Sequence, residues 1–147
     1  MTSLTPLLLL THLIGLALGV GSATAKLTLL LRCKGDRALV PGYLAVARPI
    51  TRLIVLGLVL LTVSGIGWLL AGYELTLLLD LKLALVVVIW VLGPVIDKVI
   101  EPKFRKLAPA SGEPASPAFL RVEKQYLMLE VVATGLFYVI IAMWVLA

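Results

Sequence analysis

Apolar and polar positions divide this chain into four long runs rich in leucine and valine, separated by three polar intervals. The runs cover about Leu4–Leu31, Leu53–Leu70, Leu75–Ile96 and Tyr126–Ala147. Each is near the ~20 residues needed to cross ~30 Å of hydrocarbon at ~1.5 Å per residue. None alternates polar with apolar positions, which excludes the strands of a lipid-facing barrel. Hydrocarbon offers backbone N–H and C=O groups no partners, so the runs must be helices that satisfy them internally. The pattern predicts an all-α integral membrane protein: one domain, residues 1–147, built as a four-transmembrane-helix bundle.

The polar intervals predict how the bundle sits. Arg32, Lys34, Arg37, Arg48 and Arg52 lie between the first two runs, against one acid, Asp36. Lys98, Lys103, Arg105, Lys106, Arg121 and Lys124 lie between the last two. The short connection between runs two and three carries Glu74 and Asp80, and no cation before Lys82. Thus 11 of the 13 Lys and Arg residues fall in two loops on one side. The positive-inside rule places those loops in the cytoplasm and both termini outside. Trp68, Tyr73 and Trp144 then fall near the outer interface, where amphipathic rings settle. The centre of the second basic loop, about 107–118, contains Pro109, Pro114 and Pro117 among small residues and reads as a flexible linker.

Composition agrees. Hydrophobic residues make up 61% of the chain and charged residues 14%, with a mean hydropathy of +1.11. A soluble domain of this size must hydrate its exterior, so that mixture excludes one. The net charge of +5 is confined to membrane-tethered loops. Its expected partners are anionic headgroups of the lipid bilayer rather than nucleic acid. A lone cysteine, Cys33, excludes an internal disulfide and a cysteine-cluster metal site. Ala23-Thr24-Ala25 looks like a signal-peptidase site, but no basic residue precedes the apolar run and Leu27–Leu31 continues it. The segment reads as a genuine first span.

The first helix carries the most legible chemistry. His12, Gly15, Gly19, Ser22 and Lys26 recur at spacings of three and four, which keeps them on one stripe. The stripe is expected to face the bundle, with the glycines admitting a close neighbour. Lys26 lies near the inner end of that helix and Glu130 near the inner end of the fourth. An intramembrane charge needs a partner, so the two are expected to meet as an ion pair. The alternative is that Lys26 snorkels unaided to the interface. At the outer end, His12 sits ~12 Å along the first helix. Asp80 and Lys82 open the third helix in the same layer. A neutral imidazole there can ligate haem iron or copper, or relay a proton. It can equally form a hydrogen bond between helices with no ligand. Gly93-Pro94 is expected to kink or widen the third helix. Tyr138 needs a hydrogen-bond partner if it faces inward.

These motifs carry a resemblance. His12-Leu13-Ile14-Gly15, the small-residue stretch Val20-Gly21-Ser22-Ala23, Thr62–Leu70 and Asp80–Leu85 occur in that order, followed by the basic exit Asp97–Lys106. Together they resemble the superfamily of small four-helix bacterial membrane proteins. That group includes HemJ-type protoporphyrinogen oxidases and CopD-like domains. The resemblance implies a bacterial inner-membrane protein with haem b as cofactor and His12 and Lys82 as the site, His12 being the iron or metal ligand. The chain departs from the family in having no second histidine. That excludes two-histidine ligation within one chain and leaves copper binding by a CopD-like histidine set without its ligands. Three functions remain open. One is a redox or haem-associated protein using His12 and Lys82, as a homo-oligomer if the second ligand comes from another copy. The second is a non-enzymatic structural or accessory subunit of a larger membrane complex. The third is a small transporter along His12, Ser22, Lys26 and Glu130, with Ser64 and Thr134.

Overall fold

The computed structural model describes residues 4–145. Helix α1 spans Leu4–Gly35, α2 Val40–Leu70, α3 Leu77–Val95, α4 Glu101–Leu107 and α5 Pro117–Val145. A 3-10 turn, Arg37–Leu39, joins α1 to α2, and a wide π turn, Ile96–Ile100, joins α3 to α4 without a break. There is no strand among the described residues. The α3–π–α4 unit is therefore one rod, and the four rods are each long and apolar enough to cross a membrane. The protein is an all-α, multi-pass four-helix membrane bundle.

The rods outrun the bilayer. At ~1.5 Å per residue, α1 is ~48 Å long against ~30 Å of hydrocarbon. Hydropathy places the start of the second span near Leu53 and of the fourth near Tyr126. The helices begin at Val40 and Pro117 instead. Charges end a hydropathic run, but they do not end a helix whose inner face continues to bury apolar groups. Tyr43 and Ala47 on the early part of α2, and Phe119 on α5, are all at most 3% exposed. Much of the two basic loops is thus helix carrying its cations outward. The non-helical remainder of the second loop is residues 108–116.

The connections are capped locally. Asp36 accepts a hydrogen bond from the Ala38 N–H at 3.0 Å, and Thr76 accepts one from Leu79 at 3.3 Å. Gly72, with φ +92°, makes the left-handed turn after α2, which side chains disfavour.

Close packing begins on the α1 stripe. Gly15 and Gly19 meet Gly57 of α2 backbone to backbone. A methyl group on Gly57 would sit 2.8 Å from the Gly15 carbonyl oxygen and closer still to Gly19. Small residues are the means by which membrane helices gain such contact. Helix α1 also packs on α5, and α3 packs on α5. The α2–α3 side is bridged by Trp90, whose indole N–H donates to Thr62 Oγ1 at 3.1 Å. The buried groups form two layers. A middle one includes Val20, Leu58 and Phe137; a second, at the basic end, includes Leu30, Phe104 and Phe119.

The Gly93-Pro94 pair leaves α3 helical through Val95 and is followed directly by the π turn. Pro94 and Pro102 bracket that turn, and each withdraws one N–H from the ladder. The Glu101 N–H donates to the Ile96 carbonyl, five residues back. The wider turn puts Ile96 and Glu101 on one inward face.

Replacing Gly57 by alanine is expected to cost about 1–3 kcal/mol through overpacking. Gly65, with nothing within 4 Å of its would-be Cβ, is expected to accept alanine with little change. Thermal unfolding of both variants in detergent checks the contrast; equal losses would mean that the glycine contact does not limit packing.

Candidate functional site

The densest chemistry lies at the basic end, among charges that almost no solvent reaches. Lys26 Nζ stands 2.8 Å from Glu130 Oε1 and 3.5 Å from Glu101 Oε2, with the three side chains 2–5% exposed. Tyr126 donates its hydroxyl hydrogen to Glu101 Oε2 at 3.2 Å, and its oxygen lies 2.6 Å from that of Tyr43. The Lys26 ammonium also sits 5.5 Å from the centre of the Tyr126 ring. Arg105 completes the set: one Nη donates to Glu101 Oε1 at 3.3 Å and to the Leu44 carbonyl at 2.9 Å. Two cations and two carboxylates leave the cluster formally neutral.

Each member arrives by a local rule. Lys26 is the inner end of the α1 stripe. Glu101 is turned inward by the π turn. Tyr126 and Glu130 are four apart on α5, so they share a face. That face continues through Phe119, Glu123, Thr134 and Phe137, all buried. Beside it, Arg37 holds Glu123 in a two-pronged pair at 2.8 and 3.0 Å and lies 5.2 Å from the centre of the Phe119 ring. This pair fastens the short turn after α1 to α5.

Desolvating ions costs several kcal/mol each, and it is recovered only with close partners and further hydrogen bonds. Glu101 has both, from Tyr126 and Arg105. Glu130 Oε1 has no hydrogen-bond partner of good angle, so its hold on Lys26 is Coulombic. Thr134, one turn further along α5, likewise keeps a buried hydroxyl without a partner.

The other residues singled out from the sequence lie elsewhere. His12 Nδ1 is 2.9 Å from Ser64 Oγ, and its ring stacks on Trp68 at 6.3 Å between centres. Trp68 packs in turn on Tyr73 at 5.3 Å. Lys82 is half-buried and Asp80 exposed. Among the described residues neither makes an ion pair, and no hydrogen bond joins Lys82 to His12. Tyr138 meets Thr24 Oγ1 at 2.9 Å. The polar route from His12 to Lys26 is interrupted by the glycine contact and the apolar middle layer.

A haem needs an axial ligand and a slot for a flat ring. His12 supplies the first, with its ring oriented by Ser64. Two clefts lie at the basic end, one lined by Arg48, Arg52 and Lys98 and one by Arg37 and Glu123. No cluster of three metal-ligating side chains occurs among the described residues.

Sequence reasoning missed Tyr43, Glu101, Arg105 and Tyr126 as partners of Lys26. The α5 stripe at spacings of three and four was the available signal, hidden because hydropathy starts that helix nine residues late. Comparison with protein-family models, with curated proteins and with solved structures finds no match. What fold and site define is a class: a four-helix membrane protein with a buried, charge-balanced acid–base cluster at its basic end.

Lys26→Met removes the shared cation and is expected to destabilise by about 3–5 kcal/mol. Lys26→Met combined with Glu130→Gln leaves Glu101 balanced by Arg105 and is expected to recover part of that loss. A double-mutant cycle on thermal or denaturant unfolding measures the coupling; additive losses would mean that the pair is not coupled.

Proposed function

We propose that this chain is a proton-exchanging membrane protein whose working centre is the Lys26–Glu130–Glu101 cluster. One observation carries the reading: a single lysine is shared by two carboxylates, one of them accepting from Tyr126, whose hydroxyl also meets that of Tyr43, where hydration is almost absent. Ionisable groups so placed are costly and mark proton or ion sites in membrane proteins by default. The centre is read as serving one side, because an apolar layer that includes Val20, Leu58 and Phe137 lies between it and the His12 group. With 11 of the 13 cations in the two loops at this end, the positive-inside rule favours a cytoplasmic position for it, with both termini outside, and the family resemblance adds a bacterial inner membrane.

The experiment is infrared titration of the detergent-purified protein. A protonated-carboxyl band is expected to appear and vanish reversibly across the pH range in which the protein stays folded, and to be lost in Glu130→Gln. A carboxylate spectrum that stays constant over that range would sink the proposal. It would leave a static electrostatic clamp and the reading as a non-enzymatic accessory subunit.

A second reading follows the HemJ/CopD-like resemblance, and the Ser64–His12 contact favours it. A hydrogen bond to one imidazole nitrogen fixes the ring and leaves the other free for a ligand, as in oriented metal-binding histidines. Since the chain has one histidine, two-histidine ligation in this reading needs two copies, each contributing His12, with Lys82 available to an anionic group in the same layer. Its test is the absorption spectrum of the purified protein, oxidised and reduced. A Soret band lost in His12→Ala supports it, and a colourless protein refutes it.

A further inference from the structure

A second polar feature lies on the other side of the basic end. Arg48, Thr51, Arg52 and Val55 of α2 form one wall of an open cleft of about 590 Å³. Asp97 and Lys98 of the π turn form the other. The volume falls within the ~300–1,000 Å³ usual for small-ligand sites. The gap exists because α3 packs on α5 rather than closely along α2, and because the bracketing prolines widen the helix there.

Its chemistry is that of an anion site. Three cations face one carboxylate, a formal excess of two positive charges. Among the described residues Arg48, Arg52, Lys98 and Asp97 form no ion pair, so Asp97 does not neutralise its neighbours. Thr51 Oγ1 is buried in this wall with no hydrogen-bond partner. Arginine forks match phosphate oxygens, and a hydroxyl adds a directed donor.

The depth of the cleft selects the source of the anion. Arg48 and Arg52 stand immediately before the apolar run of α2, and Lys98 immediately after that of α3. Val55, on the same wall, already belongs to the hydrocarbon-facing run. The cleft therefore spans the level where lipid phosphates meet acyl chains.

We infer that this cleft binds the phosphate of an anionic phospholipid, held by Arg48, Arg52 and Lys98 with Thr51 donating a hydrogen bond. One acyl chain lies along Val55. Bulk attraction of basic loops to an anionic surface is diffuse; this site would be saturable and would depend on particular residues.

The test is thermal unfolding of the full chain in neutral detergent, titrated separately with phosphatidylglycerol, phosphatidylcholine and inorganic phosphate. Phosphatidylglycerol alone is expected to raise the transition, saturably. Arg48→Gln with Arg52→Gln is expected to weaken half-saturation by roughly tenfold or more. Lys103→Gln with Lys106→Gln removes the same charge outside the cleft and is expected to leave it unchanged. Thr51→Val keeps shape and charge and, compared with its own lipid-free transition, is expected to show a weaker lipid effect. Equal weakening by both double variants would overturn the site in favour of diffuse charge. No preference for phosphatidylglycerol, or a shift produced by inorganic phosphate and not by lipid, would overturn the lipid assignment.

Discussion

Lys26 holds a positive charge where water hardly reaches, and the basic end of the bundle is organised around its partners. An unpaired ammonium in such surroundings would cost more than a small bundle can offset. Four helices therefore contribute: α1 the cation, α5 Glu130 and Tyr126, α4 Glu101 and Arg105, α2 Tyr43. None of these contacts is local in sequence apart from the Glu101–Arg105 pair four residues apart. The cluster fixes the register of all four helices at one end, because sliding any of them by a turn would strand a charge.

The middle of the bundle is held by different physics. Gly15, Gly19 and Gly57 bring α1 and α2 into backbone contact, which favours dispersion where lipid supplies no hydrophobic drive. The same closeness seals the middle of the bundle. It separates the His12–Ser64–Trp68 group from the Lys26 cluster and turns one apparent polar stripe into two independent sites. The stripe on α1 is therefore polar at its ends and close-packed at its centre.

Prolines shape the remaining feature. Pro94 and Pro102 leave the third rod continuous and bracket a wide turn between them. That turn directs Glu101 inward to Lys26 and leaves Asp97 and Lys98 on the cleft that faces α2. One backbone irregularity thus serves both the buried cluster and the basic cleft.

The sequence by itself determined the class of fold, because hydrocarbon imposes length, apolarity and internal hydrogen bonding on each span. It also pointed to Lys26 and Glu130 as residues in need of partners and to the stripe that carries His12. Helix limits were less legible, since hydropathy responds to charges, and the helices carry charges beyond the apolar runs as far as Val40, Leu107 and Pro117. Tertiary structure alone decided that Glu101 and two tyrosines join Lys26 and that His12 pairs with Ser64 while Lys82 stays apart from it. Which faces of separate helices meet depends on glycine contacts and on one wide turn. A linear pattern gives the period of each face but not the angle at which neighbouring faces are brought together.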